Sequence, residues 1–160
     1  MTITIRLLPA LLGFVATVWQ GAPPSPATVL VSYAAVGKAV GKDDAANRGS
    51  VSVLVKTGEV RSAIVWESEC QLAARANAVA AAPGVDQYWT FRSTLEASAD
   101  GRPGVRVRYQ RTRIAAAGPQ PEEKDQWLPL DGVTLLTVTE QSARKNCGYK
   151  EFTVSVAARN

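Results

Sequence analysis

The side chains best suited by type to do chemistry are carboxylates in three groups. Asp43 and Asp44 stand together in a glycine-rich stretch, Glu122, Glu123 and Asp125 in a proline-rich one, and Glu67 and Glu69 flank Ser68 beside Cys70. Two carboxylates held at a set separation are what glycoside hydrolysis requires, one to protonate the leaving group and one to act as base or nucleophile. Each of these groups is more economically a solvated turn or strand end. The run Asp43-Asp44-Ala45-Ala46-Asn47 also lacks the alternating spacing that wraps oxygen ligands round calcium, so neither a metal site nor a cofactor is expected.

The chain contains no histidine. That removes the usual general base near neutral pH and the commonest metal ligand, and it excludes Ser-His-Asp and Cys-His nucleophilic schemes by inventory. An enzymatic reading therefore rests on the carboxylates alone.

Arginine is the next candidate. Arg92, Arg102, Arg106, Arg108, Arg111 and Arg113 fall in or beside one stretch, and alternation places Arg92, Arg106 and Arg108 on the same wet face, with Tyr88 and Thr90 nearby. Guanidinium groups match sulfate, phosphate and carboxylate bidentately, so this strip can hold an anionic polymer. Basic residues on an exposed strand more often keep a sheet soluble and discourage edge pairing. No array of stacking aromatics accompanies the strip, which disfavours nucleic acid. Trp66, Trp89 and Trp127 would suit a carbohydrate-stacking platform if exposed. Trp66 and Trp89 instead read as core residues on the apolar faces of their strands, leaving Trp127, at a loop exit, as the one of interest.

The elements that must carry these residues are mostly β. Alternation marks Thr28 to Val36, Ser50 to Lys56, Glu59 to Glu67, Tyr88 to Ala99, Val105 to Gln110 and Phe152 to Arg159, and an unusually apolar run makes Val133 to Thr139 a further strand candidate. Thr57-Gly58 suggests a hairpin between the second and third of these, with Val60, Ile64 and Trp66 inward and Glu59, Arg61 and Glu67 outward. Asp100 to Gly104 suggests another hairpin between the fourth and fifth. Gly37 to Gly49 and Ala115 to Gln126 read as exposed loops, with Trp127, Leu128 and Leu130 re-entering the core. Gln71 to Ala82 is alanine-rich and ends at Pro83-Gly84, so it reads as a short helix, or else as an alanine-rich loop or irregular strand. About seven short alternating strands predict an antiparallel β-sandwich, with a small closed barrel as the alternative.

The amino-terminal residues read as a secretory signal: Arg6 in a basic region, an apolar run from Leu7 to Trp19, then Gln20 to Ala27 rich in proline and small residues. This predicts a signal peptide over residues 1–27 and a single domain over 28–160, with no membrane span in the mature chain and no cysteine near the cleavage region to take a lipid. Export changes the meaning of Cys70 and Cys147. In an oxidising compartment they are expected to pair, whereas a redox-active pair would want Cys-x-x-Cys spacing. The net charge of +4 is compatible with anionic partners without requiring them.

These observations point to a non-enzymatic exported, periplasmic or secreted, β-sandwich. It would work by recognising a protein or an anionic polymer, as an accessory or structural subunit of an envelope or secreted assembly. Binding through strand edges would also allow homo-oligomers. Two rivals remain: a carboxylate-dependent hydrolase of envelope polymers, and a secreted enzyme inhibitor presenting the Asp100 to Gly104 turn or the Gly118 to Asp125 loop.

Overall fold

A computed structural model of the chain describes residues 26–39, 45–78, 83–115 and 118–160. The expected signal segment up to residue 25, and Asp43 and Asp44, lie outside the described residues. In chain order the strands are β1 (Thr28–Ala39), β2 (Ala45–Lys56), β3 (Val60–Ser68), β4 (Gln71–Ala76), β5 (Gln87–Ala97), β6 (Pro103–Ala115), β7 (Gly118–Pro129), β8 (Asp131–Gln141) and β9 (Tyr149–Arg159). They form two antiparallel sheets, β2-β1-β9-β8 and β4-β3-β5-β6-β7, packed as a sandwich and not closed into a barrel.

The core lies between the sheets and follows the two-residue period of each strand. Val29, Val31, Tyr33 and Ala35 of β1 and Phe152, Val154, Val156 and Ala158 of β9 meet Ala63 and Val65 of β3, Trp89 and Phe91 of β5, Val105 and Val107 of β6 and Leu128 of β7. Phe152 lies edge-on to Trp89, ring centroids 5.1 Å apart, and Tyr33 packs against Phe91 at 5.2 Å. Such tilted contacts suit the ring quadrupoles and fix the stacking of the sheets.

Several expectations are corrected. Among the described residues there are nine strands and no helix; the alanine-rich candidate is strand β4 as far as Ala76, because it pairs in register with β3 from Ser68↔Gln71 to Ala63↔Ala76. Pairing overrides the helix propensity of alanine here. Gly37 to Gly49 is not simply a loop, since β1 runs to Ala39 and β2 begins at Ala45. The proline-rich stretch expected to be a loop forms β7, an edge strand on β6, which is where proline is tolerated in a sheet. Thr57-Gly58 does not close a hairpin: β2 pairs with β1 while β3 pairs with β4 and β5, so the turn crosses from one sheet to the other.

The faces of β3 are also reversed. Ala63, Val65 and Glu67 point inward, and Trp66 points out between its cross-strand neighbours Ala73 and Tyr88, half-buried. The β5–β6 hairpin, β8 and β9 stand as expected, and Leu128 does enter the core. No helix among the described residues is long and apolar enough to cross a membrane.

Candidate functional site

Two polar constellations stand out, one inside the sandwich and one outside. The inner one is built on Glu67, which the face reversal of β3 places against the core at 0% exposure. Its carboxylate accepts four hydrogen bonds. Gln87 Nε2 and the Ala143 N–H donate to Oε2 at 2.6 and 2.9 Å, and Ser142 Oγ and the Tyr149 hydroxyl donate to Oε1 at 2.6 and 2.9 Å. Gly37 makes room for this arrangement: a side chain there would sit 2.8 Å from the Tyr149 ring. Burial, with the bond to Glu67 adding to it, pushes the Tyr149 hydroxyl well above the ordinary tyrosine range.

The same end of the sandwich carries the Cys70–Cys147 disulfide, with Cα atoms 5.1 Å apart. It joins the tight β3–β4 turn to the β8–β9 connection, beside Glu67. Glu69 and Cys70 both have positive φ, 48° and 64°, as a two-residue hairpin turn of this kind demands, although neither is glycine. The Glu69 N–H donates to Asp86 Oδ2 at 3.0 Å, and Arg144 pairs with the same oxygen at 2.9 Å. Next along the interior, Glu140 of β8 takes Arg111 Nη1 on both oxygens at 2.6 and 2.7 Å, and Arg113 Nε reaches Gln87 Oε1 at 3.3 Å. Arg111 and Arg113 thus belong to an inter-sheet network and not to the outer strip.

In chemical terms this inner constellation is a set of filled acceptors. A general acid or base must reach a substrate proton, and the Glu67 oxygens are saturated and away from solvent. Glu69, exposed at the turn, does not share its environment.

The outer constellation lies across the solvent face of the five-stranded sheet. A groove of about 370 Å3 is lined by Thr90, Arg92, Thr94, Glu96, Arg106 and Arg108, among others. Three predicted residues, Arg92, Arg106 and Arg108, meet there. Tyr88 shares the face but sits beyond Thr90, opposite Trp66 and Thr112 and outside the groove lining. Arg106 Nε binds Glu96 at 3.0 Å and its Nη1 binds Asp125 at 2.9 Å, while Arg108 approaches the other Asp125 oxygen at 3.4 Å. The hydrogen bond from Arg106 holds the Asp125 carboxyl below the usual range.

Arg92 differs from its neighbours. The β5–β6 register puts it directly opposite Arg108, like charge facing like charge, and no ion pair joins it to an acid among the described residues. Opposed like charges destabilise a cross-strand pair unless something neutralises them.

Trp127 lies on the outer face of β7, opposite Arg106, half-buried. Its indole N–H donates to the Glu96 carbonyl at 3.3 Å and the Arg102 guanidinium lies 5.8 Å from the ring centroid, so this tryptophan covers the groove's end more than it offers a free stacking face. The acidic residues of β7 were invisible as partners in the sequence because only the β6–β7 register sets Asp125 against Arg108 and Glu123 against Gln110.

Comparison with protein-family models, with curated proteins and with solved structures gives no match for this chain. The fold and the two constellations therefore carry the functional argument by themselves.

Proposed function

We propose that this chain is an exported, non-enzymatic recognition module that binds an anionic polymer or an acidic protein surface at the cell envelope through the arginine groove of its five-stranded sheet. The observation that carries the reading is Arg92 opposed to Arg108 without an acid of its own among the described residues. A sulfate, phosphate or carboxylate group seated between the two guanidiniums would relieve their repulsion and accept bidentate hydrogen bonds. Arg106 and Arg108, held by Glu96 and Asp125, are already oriented, which lowers the ordering cost of binding. Export is supported by the amino-terminal pattern and by the disulfide, which suits an oxidising compartment.

The test is binding of the secreted protein to immobilised dextran sulfate, with uncharged dextran as control, across a salt series. Salt-sensitive retention on the sulfated polymer is expected, weakened about tenfold or more by Arg92→Ala, in line with the worth of a charged hydrogen-bonded contact. Equal behaviour on both polymers, or full retention by Arg92→Ala, would overturn the reading.

A further inference from the structure

We infer that β8 is a site of antiparallel strand addition by a second copy of this chain. A β-sandwich has four sheet edges, and each exposes unpaired backbone N–H and C=O groups unless something protects it. Here β4 and β7 end one sheet and β2 and β8 the other.

Three of these edges are protected in recognisable ways. β7 contains Pro119, Pro121 and Pro129 together with Glu122, Glu123, Lys124 and Asp125. β4 is only six residues long. β2 is drawn against β4 across the sandwich: a side chain added at Gly49 would lie 2.6 Å from Ala73 Cα and 2.7 Å from the Leu72 carbonyl oxygen, so the two backbones nearly touch and block that side.

β8 is protected only at its start, where Asp131 takes up the Val133 and Thr134 N–H groups at 2.9 and 2.8 Å and the pairing with β9 shifts register between Asp131 and Leu135; beyond Leu135 it has none of these devices. From Val133 to Thr139 it carries no charge and no proline, and no described strand pairs with its outer edge. Its exposed residues include Val133 at 80% and Leu135 at 50% exposure. From Leu135 to Gln141 it pairs with β9 without interruption, so this part of the edge is regular.

The sequence of β8 is complementary to itself. Within the regular stretch from Leu135 to Gln141, antiparallel pairing about Val138 sets Thr137 against Thr139 and Leu135 against Gln141 on the outer face. Cross-strand threonine pairs favour a ladder. Glu140, the acid of this stretch, falls opposite Leu136, so no like charges meet. The outer face around the junction is uncharged too, with Thr137 and Thr139 of β8 beside Ser155 and Thr153 of β9 and Ala34 and Val36 of β1.

Antiparallel addition at one edge implies a two-fold axis perpendicular to the sheet. The resulting eight-stranded sheet keeps the same face of both copies on the same side. Both five-stranded sheets then turn their outer faces one way, and two arginine grooves would address one polymer at once. Bivalent contact of this sort raises apparent affinity without any new contact to the ligand.

The experiment is sedimentation velocity on the secreted, oxidised chain over a concentration series, with hydrogen exchange followed at its two ends. A concentration-dependent dimer is expected, with the edge-facing amides between Leu135 and Gln141 protected in the dimer relative to the dilute monomer. The double variant Leu135→Lys, Thr137→Lys, which alters only outward-facing positions, is expected to stay monomeric with an unchanged unfolding midpoint. Thr137→Lys alone serves if the double variant does not fold. A monomer at every concentration, a dimer that survives the lysines, or protection confined to β2 would each overturn the inference. Arg92→Ala is expected to leave the dimer intact, so failure of polymer binding and failure of self-association are distinguishable.

Discussion

The Tyr149 hydroxyl donates to Glu67 Oε1 at 2.9 Å, tying the start of β9 in one sheet to the end of β3 in the other. Glu67 gathers three further donors from β5 and the β8–β9 connection, so one buried carboxylate organises an entire end of the sandwich. Removing it strands the Tyr149 hydroxyl and the Ala143 N–H, while Gln87 Nε2 keeps the Gln141 carbonyl and Ser142 Oγ the Arg144 carbonyl. Glu67→Ala is expected to cost at least about 3 kcal/mol in denaturant unfolding, since buried donors left without acceptors lose about 1–3 kcal/mol each. Tyr149→Phe, which removes one donor and leaves the ring, should cost about 1 kcal/mol. A Glu67→Ala variant as stable as the parent would refute the organising role.

The same residue explains what the sequence concealed. Alternation in β3 offers two phases, Val60, Ile64, Trp66 or Ala63, Val65, Glu67, and side-chain size favours the first. The fold takes the second because Glu67 has partners 20, 75, 76 and 82 residues away, and no local pattern announces them. Trp66 is then accommodated outside, between Ala73 and Tyr88. β5, β6 and β9 were legible because each carries one clearly apolar and one clearly polar face. β7 was not, because proline and charge mark a loop until the arginines of β6 are seen to run alongside them. The arginine face itself was readable from period two; its division into Arg106 and Arg108, pinned by acids, and Arg92, which has no acid partner among the described residues, depended on register.

The Cys70–Cys147 bond closes a loop with a sequence separation of 77 and crosses between the sheets. Restricting so long a loop in the unfolded chain is worth about 4–5 kcal/mol on the chain-entropy account. The double variant Cys70→Ala, Cys147→Ala is expected to lose several kcal/mol of stability, and the parent unfolded with reductant should match it. Intact mass of the secreted protein, two daltons below the reduced form, checks the bond directly. Equal stability with and without reductant would contradict the assignment.

Gly49 sets how closely β2 and β4 approach. A methyl group there would meet the Ala73 backbone at 2.6 Å, and backbone cannot swing aside as a side chain can. Gly49→Ala is therefore expected to destabilise by about 1–3 kcal/mol, the usual range for overpacking. Ser50→Ala, one residue on and facing solvent, should change stability by less than about 0.5 kcal/mol. Equal effects at the two positions would show that the close approach imposes no constraint.

Tyr33 predicts how the fold behaves in alkali. It is 0% exposed at the centre of the core, and its hydroxyl shares a hydrogen bond with Ser93 Oγ at 2.5 Å. Burial pushes its pKa up from 10.0 to about 12, against a smaller lowering by Ser93. The native state thus holds the proton over a window in which the unfolded chain releases it. Stability from this group is complete below pH 10 and falls as pH rises from about 10 to about 12, by up to about 2–3 kcal/mol at 1.36 kcal/mol per pKa unit. Tyr149, shifted in the same direction, adds to the fall. Absorbance titration should show these tyrosines ionising only with unfolding. Tyr33→Phe should be less stable at neutral pH, because Ser93 loses its partner, and should lose stability less steeply above pH 10. If the variant and parent keep the same slope in that window, Tyr33 is not the group responsible.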